Sequence, residues 1–296
     1  MICVTKKVAM FLVGCMFFAA AFAQSTGKII EQQSVKSTIL SKDVKYSIYL
    51  PPNYESSTQT YPVIYLLHGY GGDNNSWIKR GNINEYTDKA IANNTIPAVI
   101  IVMPNGDSSW YINSNDSKVK YEDFFINEFI PAIEKTYRAK AEKKYRAIAG
   151  LSMGGYGALL YTLKHPNIFS AVAALSAAIV SDNDYMNMPV LQWNHFFNKI
   201  YGLELKGKER LNETWNTNSI LKIVENKTTE ELKTVQYWID CGDDDFLTKG
   251  NCLLHIALTD KKVPHEYRVR DGDHNWNYWK SGITDALQFI TTHFKM

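Results

Sequence analysis

Cysteine is scarce in this sequence: four in 296 residues, of which Cys3 and Cys15 fall at the extreme N-terminus. Cys241 and Cys252 could pair in an oxidising compartment. However, Cys241 ends an apolar run and Cys252 lies in a helical pattern, so the reading preferred is two buried free thiols. No CxxC occurs, and no His/Cys cluster has metal-ligand spacing, so no metal is expected. An excess of one charge sign is missing too, with 32 Lys and Arg against 30 Asp and Glu. Without a basic tract, nucleic acid is not the expected partner. Internal repeats and low-complexity segments are absent.

What is present begins with a processing signal. Lys6 and Lys7 precede an uncharged apolar run over 8–22, and Ala21-Phe22-Ala23 before Gln24 is a small-x-small cleavage site. The run is short for a membrane span and fits a secretory signal peptide over 1–23. A secreted or periplasmic chain over 24–296 with no transmembrane span is therefore expected. The rival is a lipoprotein signal at Leu12-Val13-Gly14-Cys15, anchored through Cys15. That cut would leave the apolar stretch 16–23 on the mature N-terminus, where a lipoprotein usually carries a polar tether. Cleavage after Ala23 leaves 30 basic and 30 acidic side chains. A chain of this length can fold around one large core.

Apolar runs at 63–67, 98–103, 147–151, 171–175 and 237–239 lack alternation, as strands buried on both faces do. Residues 46–50 alternate more and stop at Pro51-Pro52, which predicts an antiparallel strand. Ile126, Phe129, Ile130, Ile133 and Tyr137 share a helix face, with a break or kink expected at Pro131. Ile283, Leu287, Ile290 and Phe294 form the stripe of a C-terminal helix. Alternating strands and helices predict a doubly wound, mostly parallel α/β sheet that binds ligands beyond its strands' carboxyl ends. Residues 177–233, with Trp193, Phe196, Phe197, Tyr201 and Trp215, are too long for an ordinary connection. They read as an irregular, partly helical insertion over the site, serving either as plain structure or as a substrate cap.

Gly150-Leu151-Ser152-Met153-Gly154 is a G-x-S-x-G preceded by an apolar strand and followed by a helix. On such a strand-to-helix turn a serine is held in strained geometry as a nucleophile, and side chains at Gly150 or Gly154 would collide across the turn. Gly155 and Gly157 are expected to let the helix pack close to the sheet. An oxyanion hole needs the N–H of Met153 and one from an earlier loop. Leu67-His68-Gly69-Tyr70-Gly71-Gly72 fits, with Tyr70 as donor and His68 as a loop-orienting residue.

The chain order serine, acid, histidine directs the search for partners. The segment Asp240-Cys241-Gly242-Asp243-Asp244-Asp245-Phe246-Leu247 offers four carboxylates. Asp245, beside Phe246 and Leu247, is best placed to be partly buried and to hold an imidazole, with Asp244 its closest rival. Among the later histidines, His255 falls in a helix, His265 enters a strand and His293 sits at the C-terminus. His274 alone lies in a loop after a strand.

Together these segments resemble the esterase family of α/β-hydrolases that includes esterase D-like enzymes, mycolyltransferases, and the feruloyl and acetylxylan esterases of carbohydrate esterase family 1. The likeness covers most of the mature chain. It runs through Tyr49-Leu50-Pro51-Pro52-Asn53-Tyr54, 62–72, 121–137, the G-x-S-x-G, Cys241-Gly242-Asp243-Asp244-Asp245 and His274-Asn275-Trp276-Asn277-Tyr278-Trp279. The resemblance implies the α/β-hydrolase fold and a serine esterase without metal or cofactor. It also supports Asp245 as acid and His274 as base.

A secreted relative would act on acyl decorations of plant polysaccharide, feruloyl or acetyl, or on a small-molecule ester. Trp77, Trp110, Tyr111, Trp276 and Trp279 fall in or near loops at the predicted strand ends. Of these, Trp276 and Trp110 are the expected substrate-binding aromatics. Two alternatives stay open: an acyltransferase using the same triad, and a carbohydrate-binding protein that keeps the fold without the chemistry.

Overall fold

The structure, a computed structural model, describes residues 26–294, so the signal peptide expected over 1–23 and Cys15 lie outside the described residues. The apolar runs do become strands. In chain order these are β1 (Lys28–Ser37), β2 (Lys42–Leu50), β3 (Val63–Leu67), β4 (Ile100–Pro104), β5 (Arg146–Leu151), β6 (Ala171–Leu175), β7 (Gln236–Gly242) and β8 (Glu266–Arg270). Among the described residues they form one sheet ordered β1-β2-β4-β3-β5-β6-β7-β8. The first two pairings, β1 with β2 and β2 with β4, are antiparallel, and the remaining five are parallel. This is the α/β-hydrolase arrangement expected.

Why these strands read as unbroken apolar runs is visible in the layers. Tyr65, Leu67, Ile148, Val172 and Ala174 face one core layer. Their alternating neighbours Ile64, Leu66, Ala147, Ala149, Ala173 and Leu175 face the other. Helix α1 (Met153–Lys164) packs into the first layer through Leu159 and Leu160. Two further helices follow, α2 (Thr248–Asp260) and α3 (Trp276–Thr292). The stripe Ile283, Leu287 and Ile290 of α3 is fully buried in the second layer, and Phe294 joins it just past the helix end.

Pro131 does not break its helix. It follows directly on Phe125–Phe129 and Ile130, where the helix widens into a π-helical turn, so the helix runs on through the proline by giving up its regular i to i−4 ladder there. The 177–233 segment folds into short helices, Asp182–Asn187, Val190–Phe196 and Glu213–Asn218 among them. An aromatic nucleus holds them: Tyr185 stacks on Trp215 at 3.6 Å. Arg210, buried, donates to the carbonyls of Tyr185 at 3.0 Å and Met188 at 2.6 Å, with its guanidinium over Trp193.

Candidate active site

Register brings the strand ends into line. Leu67 pairs with Gly150, Leu151 with Leu175, Leu175 with Asp240, and Gly242 with Arg270. The loops leaving β3, β5, β7 and β8 therefore open on one rim, the carboxyl edge where such sheets bind ligands.

Ser152 leaves β5 with φ 54° and ψ −120° and begins α1. Its N–H donates to Leu175 O at 2.9 Å, and its carbonyl accepts from Tyr156 and Ala178 N–H groups at 3.0 and 3.1 Å. A left-handed φ at a serine is a cost that this clamping sustains. The glycines are there for space. A Cβ on Gly150 would lie 2.4 Å from the Gly154 backbone, and one on Gly154 would lie 2.5 Å from Leu67 O. Gly155 lies against the end of β6 as expected. Gly157 does not face the sheet; its open side is filled by the Tyr111 ring.

The His274 loop follows β8 and brings Nε2 to 3.0 Å from Ser152 Oγ. On the other side of the ring, Nδ1 lies 2.8 Å from Asp245 Oδ2 and 3.1 Å from Oδ1. A carboxylate only accepts, so Nδ1 carries the proton and Nε2 presents its lone pair to the serine hydroxyl. Asp245 is 2% exposed. Burial alone would raise its pKa, but the His274 ring, the Leu247 N–H and the Ser176 hydroxyl outweigh that and hold the carboxyl below its ordinary range. Asp244 is exposed and takes no part. Of the other histidines, His255 and His265 bond each other at 2.8 Å, and His293 caps the end of α3.

Beside the serine runs the 68–72 loop. A Cβ on Gly69 would fall 2.7 Å from Leu151 Cδ1, so glycine lets this loop lie against the residue that precedes the serine. Buried His68 accepts from Gly106 N–H at Nε2 and donates from Nδ1 to Gly69 O, both at 2.8 Å. Desolvation lowers its pKa. A neutral ring thus fixes the loop, the orienting role expected. Among the described residues, the Met153 and Tyr70 N–H groups have no other acceptor. The Tyr70 hydroxyl donates to His195 O at 2.7 Å, tying this loop to the 177–233 segment.

A cleft of about 220 Å³ opens over Ser152 and His274, walled by Gly69, Arg80, Trp276 and Trp279. Trp276 lines it, half-buried against Trp77 and Trp279. Trp110 does not. It is buried, donates to Phe196 O at 2.8 Å and stacks on Phe197 at 4.6 Å, so its ring is engaged by the insertion and does not wall the cleft. Trp77 and Tyr111 are likewise buried, with their polar atoms donating to Leu67 O and His68 O.

Sequence reasoning passed over two groups. Arg80 lies over the Trp276 ring, 5.2 Å from its centroid, and adds a cation to the cleft. Asp240, fully buried, is ion-paired with Arg270 and accepts from the Tyr278 hydroxyl, which pins both ends of the His274 loop. No local pattern marks either one, since the partners come from other elements.

Known proteins resemble the chain as follows. The model of the family described as "Putative esterase" matches residues 37–290. An acetyl esterase of Caldicellulosiruptor saccharolyticus is 26% identical over 77% of this chain and 82% of its own length. An endo-1,4-beta-xylanase/feruloyl esterase of Xylanibacter ruminicola is 36% identical over 50% of this chain, which spans only 21% of that longer enzyme. The solved structure of a ferulic acid esterase superposes with a TM-score of 0.79 at 34% identity, covering 91% of this chain and 99% of that one.

Proposed function

The chain belongs to this esterase family, and on that premise we propose that Ser152, His274 and Asp245 are the triad through which it works. It is a carboxylic ester hydrolase. The observation that carries the triad is the continuous path from Ser152 Oγ through the two nitrogens of His274 to a buried, ionised Asp245.

Ser152 Oγ attacks the ester carbonyl carbon as its proton passes to His274 Nε2. The Met153 and Tyr70 amides receive the developing oxyanion. The bond to the alcohol oxygen then breaks, and His274 returns the proton to that oxygen. A water, deprotonated by His274 in turn, attacks the acyl-enzyme and frees the acid and Ser152. Asp245 holds the ring in the required tautomer and offsets its positive charge.

The substrate proposed is a feruloyl or acetyl ester on plant polysaccharide, hydrolysed outside the cytoplasm after removal of 1–23, by a domain spanning 24–296 with 177–233 as its insertion. Support comes from the names of the acetyl and feruloyl esterase relatives and from Trp276 on the cleft wall. Turnover of methyl ferulate, acetylated xylan and p-nitrophenyl acetate tests it. Release of ferulate or acetate from the first two at rates above that of the activated ester is expected. Hydrolysis of p-nitrophenyl acetate alone would contradict the polysaccharide reading.

A further inference from the structure

The His274 ring has an aromatic neighbour on each of two flanks. Trp279 meets it edge-on at 4.9 Å, and Phe246 lies against it at 4.6 Å with the planes 49° apart. The two differ in surroundings. Trp279 is 5% exposed and walls the cleft, whereas Phe246 is 74% exposed and lies outside the cleft lining. Among the described residues, it is the one aromatic in the set of large hydrophobic side chains left in solvent. A ring of that size held open beside a catalytic base loses the burial that aromatic side chains ordinarily gain.

The chemistry says what passes there. Whatever acyl group the cleft accepts, His274 must hand its proton to the departing oxygen, so the alcohol half of the ester leaves along the histidine. We propose that Phe246 is a specificity-determining residue for that alcohol half, and that the group it receives is a neutral sugar ring whose C–H face lies on the phenyl ring. The rim agrees in character. Asp243, Asp244 and Asp271 are exposed, with carboxylate oxygens within 4.8 Å of one another, on the two segments that carry Phe246 and His274. Such carboxylates accept hydrogen bonds from sugar hydroxyls and repel a uronic acid. The inference rests on the triad reading above.

The test compares two esters that share an acyl group and differ in the alcohol: methyl ferulate and a feruloylated arabinose, or methyl and xylosyl acetate if acetyl is the better acyl group. For Phe246→Ala, the ratio of kcat/KM for the sugar ester to that for the methyl ester falls by about threefold to tenfold, the size of an aromatic contact. The loss appears in KM, the pH profile is unmoved, and Phe246→Trp restores the ratio. Equal losses on both esters with a displaced pH profile would make Phe246 a shield for His274 and overturn the proposal, as would an unchanged ratio. Wild-type protein that turns over neither ester would instead remove the proposed feruloyl or acetyl substrate, and this inference with it.

Discussion

Arg270 Nη2 lies 2.9 Å from Asp240 Oδ2, a pairing between the last residue of β8 and a fully buried carboxylate of β7. The residue directly opposite Arg270 is Gly242. Having no side chain, Gly242 leaves the guanidinium free to reach the diagonal neighbour on the same face. A Cβ on Gly242 would also lie 2.1 Å from Gly272 O, so the glycine lets the histidine loop close over the strand. Tyr278, in the first turn of α3, donates to the same carboxylate and closes the loop's far end.

Asp240→Asn should therefore lower stability. Breaking a buried pair costs about 3–5 kcal/mol, and the low end applies because the Arg270 side chain keeps 31% exposure. Denaturant unfolding checks this, and an unchanged midpoint would show that the pair holds nothing.

The acid assignment separates two adjacent residues. Asp245→Asn should reduce turnover by about 10⁴-fold, since the amide favours the wrong imidazole tautomer, while exposed Asp244→Asn should leave it near wild type. Steady-state kinetics of the two purified variants decide it. There is a stability signature as well. Asp245 has its folded pKa held below the unfolded value of about 3.9. Its contribution is present above that value and is lost as the pH falls through the lower folded pKa. Wild type should lose its stability advantage over Asp245→Asn in that acid window, as read from melting temperature against pH.

Two tryptophans should respond differently. Trp276→Ala removes a cleft wall and should lower kcat/KM for methyl ferulate several-fold more than for p-nitrophenyl acetate, in keeping with about 0.5–1.5 kcal/mol per aromatic contact. Trp110→Ala should lower the melting temperature and treat both esters alike, because its ring is packed among Phe197, Tyr156 and Tyr70, is bonded to Phe196 O and does not wall the cleft. Selectivity lost in the Trp110 variant would reverse their roles.

How legible these features were in the sequence follows from where their causes lie. Strands β3 and β6 match their apolar runs residue for residue, because burial on both faces leaves a local mark. Strand β1 left none. It is a polar edge strand, and a bulge between Ile30 and Gln33, with Gln32 at φ 59°, breaks its alternation. Ser152, Asp245 and His274 could be read from motif, order and elimination, and they meet in the structure. Trp110 reads from sequence as a cleft residue because the groups packed on it, Tyr70, Tyr156, Phe196 and Phe197, all come from distant segments. Asp240 looked like a strand end, since neither Arg270 nor Tyr278 is near it in sequence.

The most direct test of the account is the turnover of Ser152→Ala on the best ester, measured on protein whose melting temperature matches wild type. Alanine keeps the Cβ and the backbone constraint at φ 54°, so only the hydroxyl that meets His274 is lost. A fall in kcat of about 10³-fold or more is predicted. A folded variant that turns over the ester at close to the wild-type rate would contradict it.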